Sequence, residues 1–136
     1  MFKSTIAPGL LLRGKIDALR TVEGASSSES EMHIIEHKAR QRKLFNSVRE
    51  YEEIQCLGYI HLVQDHNQRE RNESPLVRCI LVETFGEDSS RHEILENPDL
   101  WHGKVLDVIR RRAEELTALV RGGPSASDLL SWLERL

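Results

Sequence analysis

Between Ser28 and Leu57 the chain carries neither glycine nor proline. A charged stretch of that length without a helix breaker predicts one long helix. Ile35, Leu44, Phe45, Val48, Tyr51, Ile54 and Leu57 supply its apolar stripe, thin before Leu44, and Gly58 supplies its stop. Ser28 followed by Glu31 fits a capping box at its start, preceded by the polar hinge "GASSSESE". The rest of the chain arranges itself around this element. Leu11, Leu12, Ile16 and Leu19 fall at helical spacing and predict a short helix over 8–22. After Gly58 the period changes. "YIHLVQ" and "LVRCILVET" are rich in β-branched residues and read as a β-hairpin over 59–84 with a long polar connection. "FGEDSSRHEILENPDLWHG" reads as a linker. Val105, Leu106, Ile109, Ala113, Leu116, Leu119 and Val120 then stripe a helix over 104–121. "GGP" ends it, and Ser125 with Asp128 caps a last, separable helix over 125–136. The expected fold is α+β and mostly helical: a single domain of four or so helices packed around one antiparallel β-hairpin.

Length bounds this reading: 136 residues suffice for one core and not for two. Aromatic residues make up only 5%, so Leu, Ile and Val must carry the core. No apolar run approaches the roughly 20 residues that span a bilayer. The opening "MFKSTIAPGLLLRGK" lacks the apolar region and cleavage site of a signal peptide, so no membrane contact and a cytoplasmic location are expected. Cys56 and Cys79 form no C-x-x-C pair and read as buried thiols. The net charge of −3 excludes a uniformly basic nucleic-acid binder and leaves room for a local basic patch.

The sharpest short motif is "HIIEH", His33 to His37. On a helix, His33 and His37 would share one face, with Glu36 beside them as a general base. The pattern resembles the H-x-x-E-H signature of inverzincin peptidases of the pitrilysin and insulinase type, in which a glutamate follows about 76 residues on; the resemblance implies Glu114 as third ligand and a zinc-dependent hydrolase. Its flanks, "ESEM" and "KARQRK", are polar, and the chain is too short for the large domains that such peptidases close around substrate. The residues therefore read as a solvated helix face, and no cofactor is expected.

Lys38, Arg40, Arg42 and Lys43, with Arg69 and Arg71 at the expected hairpin tip, form basic patches that suit a winged-helix-like nucleic-acid contact. Acids interleave every patch. No phosphate-binding glycine loop or nucleophile elbow occurs in the sequence. The final helix carries Leu129, Leu130, Leu133 and Leu136 on one face, and Trp132 off it. An exposed tryptophan beside leucines suits a partner groove or a homodimer seam. The expectation is a non-catalytic interaction module, a small adaptor, inhibitor or regulator, of the kind a phage or mobile element could encode, acting on a protein partner. Nucleic-acid binding is the alternative, and the zinc hydrolase a distant third.

Overall fold

The computed structural model describes residues 1–23 and 30–135. Most of the hinge, residues 24–29 with the expected cap at Ser28, and Leu136 lie outside these. The fold is α+β, but it is not a helical bundle around one hairpin. Among the described residues it has six strands, β1 (Phe2–Ala7), β2 (Leu10–Gly14), β3 (Ala18–Val22), β4 (Glu31–Ala39), β5 (Leu76–Phe85) and β6 (Asp88–Leu95). The helices are α1 (Glu50–Arg71), a short α2 (Pro98–Leu100) that widens into a π-helical turn (Trp101–Val105), α3 (Leu106–Arg121) and α4 (Ala126–Glu134).

The helix expected over 8–22 is replaced by strands. Pro8 and Gly9 make the turn of an antiparallel β1–β2 pair, with Gly9 at φ +74°, a conformation that costs glycine little. The helix expected over 28–57 divides in two. Its first part is β4, in which Met32, Ile34, Glu36 and Lys38 alternate with His33, Ile35 and His37. Its second part starts α1, which runs straight through Gly58 to Arg71 and ends at Asn72 with φ 52°. Glycine inside a helix costs about 1 kcal/mol relative to alanine. Here a Cβ on Gly58 would stand 3.4 Å from Trp101 Cη2, so the position accommodates an indole rather than ending a helix.

The hairpin expected over 59–84 is therefore absent. "YIHLVQ" is the middle of α1, where Cys56, Leu57, Ile60, Val63 and Asn67 are buried at helical spacing and Leu62 is buried as well. β5 is a strand over nearly the expected residues, but its neighbours are β4, in parallel, and β6, antiparallel. The supposed linker supplies β6, which returns from β5 through Gly86 at φ +58°.

The four-stranded sheet has the order β3-β4-β5-β6, and α1 is the crossover that makes β4 and β5 parallel. One face of the sheet packs on α1, around a core containing Ile34, Leu57, Ile60, Val63, Val77, Cys79, Leu81, Trp101 and Leu106. The β1–β2 pair also packs on α1. A Cβ on Gly14 would meet Leu62 Cδ1 at 2.6 Å and Tyr59 Cε1 at 3.1 Å, so only glycine lets β2 approach so closely. Among the described residues no helix is long and apolar enough to cross a membrane.

Candidate functional site

The apolar face of β4 changes character halfway along. Met32 and Ile34 enter the core, whereas Glu36 and Lys38, two and four residues on, present charge to the same side. Glu36 is only 4% exposed, and a buried carboxylate is expensive unless it is bonded. The Lys38 ammonium lies 2.9 Å from Glu36 Oε1. From α1, Gln55 Nε2 donates to the same oxygen at 3.1 Å and to the Tyr59 hydroxyl at 2.9 Å, while its Oε1 accepts from Lys38 at 2.9 Å. Gln55 and Tyr59 reach one spot because they are four residues apart on a helix. Among the described residues every hydrogen bond to the Glu36 side chain falls on Oε1. Among the described residues no bond falls on Oε2, and the Tyr59 hydroxyl accepts from Gln55 without donating.

A second carboxylate lies nearby. Asp17 is exposed and precedes β3, outside the β3–β4 ladder, which ends at Ala18 opposite Ile35. Asp17 Oδ2 accepts the His37 amide at 3.0 Å, which fixes that carboxylate beside the Glu36 backbone.

Burial opposes the charge on Lys38, but the hydrogen bond and attraction of Glu36 outweigh it and raise its pKa above the usual lysine value. Lys38 is thus a fixed cation at neutral pH, suited to stabilising negative charge and unsuited to removing a proton. Beyond Gln55 and Tyr59 the cluster opens into a groove of about 460 Å³. Leu12, Ile54, Leu62, Trp101, Val105 and Ile109 line it, with Arg13 and Lys15 at its wall.

Further along the sheet lies a second buried charge cluster. Arg40 Nε donates to Glu83 Oε2 at 2.9 Å, and Arg40 Nη2 lies 2.8 Å from Glu52 Oε1; both carboxylates are inaccessible. Glu83 also accepts the amides of Phe45 (3.1 Å) and Asn46 (2.8 Å), with His92 Nε2 at 3.2 Å. Burial pushes the Glu83 pKa up, yet the bonds from Arg40, the two amides and His92 prevail and hold it at about 2. Tyr51 donates to Glu52, and the Arg40 guanidinium lies over the Phe45 ring.

The residues singled out from the sequence are scattered by this fold. His33 and His37 lie on an extended strand, where four residues span about 13 Å, too far for one ion. His33 bonds Glu31 and sits 3.4 Å from Arg20, whereas His37 bonds Thr84. Glu114 is on α3, beside the β1–β2 turn. Of the basic residues, Lys38 is in the cluster and Arg40 is buried next to it, while Arg42 and Lys43 are exposed on the β4–α1 connection. Arg69 and Arg71 stand not on a hairpin tip but near the far end of α1, about 20 Å beyond Gln55. Leu130 and Leu133 of α4 are 60% and 53% exposed, Leu129 and Trp132 are half-buried, and Trp132 Nε1 donates to Glu115 of α3. Asp17, Gln55 and Tyr59 escaped notice. Their signal was the pair Glu36-x-Lys38 interrupting one face of an apolar strand, legible only once that segment is taken as a strand.

No protein-family model, curated protein or solved structure matches this chain.

Proposed function

We propose that the chain is a divalent-cation-dependent hydrolase of phosphodiester bonds, acting on a nucleic-acid strand. What supports this reading is the Glu36–Lys38 pair, linked through Gln55 and Tyr59 to the wall of an open groove, with the Asp17 carboxylate on the adjoining His37 amide. Oxygen donors without histidine suit a hard cation such as Mg²⁺, which needs only one or two protein carboxylates and completes its shell with water and substrate phosphate. A bound cation would polarise the phosphoryl group and lower the pKa of an attacking water.

The chain's own residues do the rest. Asp17 and Glu36 hold negative charge where a cation would be drawn, and the His37 amide orients Asp17. Lys38 sets a positive charge next to the place where the pentavalent phosphate accumulates negative charge. Gln55 holds Lys38 and Glu36 in register, and the free proton of Tyr59 can bond a phosphate oxygen. Arg13 and Lys15 on the groove wall suit the phosphates of a strand, and Trp101 with the aliphatic lining suits its bases.

The test is cleavage of a labelled oligonucleotide in Mg²⁺ or Mn²⁺, with chelator and with Asp17→Asn, Glu36→Gln and Lys38→Met. Cation-dependent cleavage that falls at least about a hundredfold in each variant supports the reading; absence of cleavage in wild type, or variants as active as wild type, contradicts it. A second reading, helix-mediated contact with a protein partner, draws on the exposed Leu130 and Leu133 of α4. It is compatible with the first, since α4 lies outside the cluster.

A further inference from the structure

Lys38 has two carboxylates within its ambit and uses one. In the parallel ladder it stands opposite Glu83, and neighbouring strands are only about 4.8 Å apart. Lys38 and Glu83 also project from the same face, toward α1, because each continues an alternation whose earlier members, Ile34 and Leu81, lie in the core under α1. A lysine across a ladder from a glutamate forms a favourable cross-strand pair. Yet the ammonium sits on Glu36 and Gln55 instead. What occupies Glu83 is Arg40, from the same strand face two residues on, together with the Phe45 and Asn46 amides and His92.

Stability alone is a poor reason to keep that arrangement. An arginine bridging two inaccessible glutamates must recover several kcal/mol of desolvation per ion, and apolar replacements of such groups are often neutral or stabilising. Geometry is a better reason. Arg40 is tied to β5 by its own amide, which donates to the Thr84 carbonyl at 2.7 Å, and to the first turn of α1 through Glu52. Glu52 lies three residues before Gln55, one helical turn away on the same face. A single guanidinium thus fixes the strand that carries Lys38 to the helix that carries Gln55. Its planar fork, which a lysine ammonium lacks, suits two carboxylates at once.

We propose that Arg40 is the positioning residue of the site: by saturating Glu83 and Glu52 it denies Glu83 to Lys38 and leaves the ammonium to Glu36. The proposal rests on the Glu36–Lys38 cluster being the working centre.

Two charge-balanced double variants test it. Arg40→Gln/Glu52→Gln removes the clamp and leaves Glu83 ionised. Arg40→Gln/Glu83→Gln removes the clamp and the competitor together. Each deletes one charge of either sign, so a general loss of stability should affect both similarly. In crystal structures of the two, Lys38 Nζ is expected on Glu83 in the first and on Glu36 in the second. With an oligonucleotide substrate and Mg²⁺, kcat is expected to fall about a hundredfold in the first with KM nearly unchanged, a loss typical of a displaced catalytic group. In the second, kcat should recover to within about tenfold of wild type. Lys38 on the same carboxylate in both variants, or equal kcat in both, overturns the proposal. Should wild type not cleave at all, the enzymatic reading fails while the position of Lys38 still decides the role of Arg40.

Discussion

The sheet carries two buried charge clusters within a few residues of each other, and they differ in one respect. Around Arg40, Glu52 and Glu83 both carboxylates are bonded to the guanidinium, and Glu83 alone takes bonds from Arg40, two backbone amides and His92. Around Glu36 and Lys38 the bonds collect on one oxygen, and the cluster borders a groove through Gln55 and Tyr59. A saturated network has nothing left to offer a ligand and serves to specify structure. A partly satisfied one, held rigid from behind, retains the capacity for chemistry.

The comparison can be broken most forcefully at the saturated cluster. Glu83→Ala strips Arg40 of one of its two carboxylate partners and leaves the Phe45 and Asn46 amides without their acceptor; it should cost about 3–5 kcal/mol, read as the midpoint of denaturant unfolding. The same carboxylate sets an acid limit. Its pKa is depressed in the fold from 4.5 to about 2, so its contribution is complete above about pH 4.5 and is lost as pH falls toward 2. Unfolding followed at pH 7, 4 and 2.5 should show wild type losing stability across that window, and Glu83→Gln losing less.

At the open cluster the pattern should reverse. Glu36→Gln keeps the shape and the Gln55 contact, so melting should shift little while cation-dependent cleavage falls about a hundredfold or more. An equal loss of stability in Glu36→Gln and Glu83→Ala would erase the distinction between the clusters. A smaller effect is expected at Gly14→Ala, whose Cβ would collide with Leu62 and crowd Tyr59. Overpacking of this kind costs about 1–3 kcal/mol, and displacement of Tyr59 should weaken substrate binding, measured as a raised KM. Leu130→Ser, on the exposed face of α4, should move stability by no more than about 0.5 kcal/mol and leave cleavage unchanged. A large loss there would show α4 to be part of the core after all.

What was legible in the sequence was what local rules govern. β5 is a continuous apolar run buried on both faces, and α3 carries an uninterrupted helical stripe. Ser125 and Asp128 do form a capping box before α4, with both reciprocal bonds present. The failures share a physical cause with the site. β4 would have read as a strand had its inward residues stayed apolar after Ile34, but Glu36 and Lys38 replace them, and these charged residues erase the periodicity that would have announced the strand. α1 was lost in a related way. Contacts with both the sheet and the β1–β2 pair bury more than one of its faces, so its single-stripe signal is weak, and Gly58 looked like a stop because the Trp101 indole beside it is far away in sequence. Asp17 was out of reach for the same reason: its bond to the His37 amide joins residues far apart in sequence, a contact that no local pattern encodes.

The most direct test of the account is Mg²⁺ binding by titration calorimetry, comparing wild type with the Asp17→Asn/Glu36→Gln double variant, both shown to be folded. The account predicts one saturable site in wild type, strengthened by a short non-cleavable oligonucleotide that supplies phosphate oxygens, and no such site in the variant. Identical titrations of the two proteins would contradict it, because a cation would then bind, or fail to bind, without regard to Asp17 and Glu36.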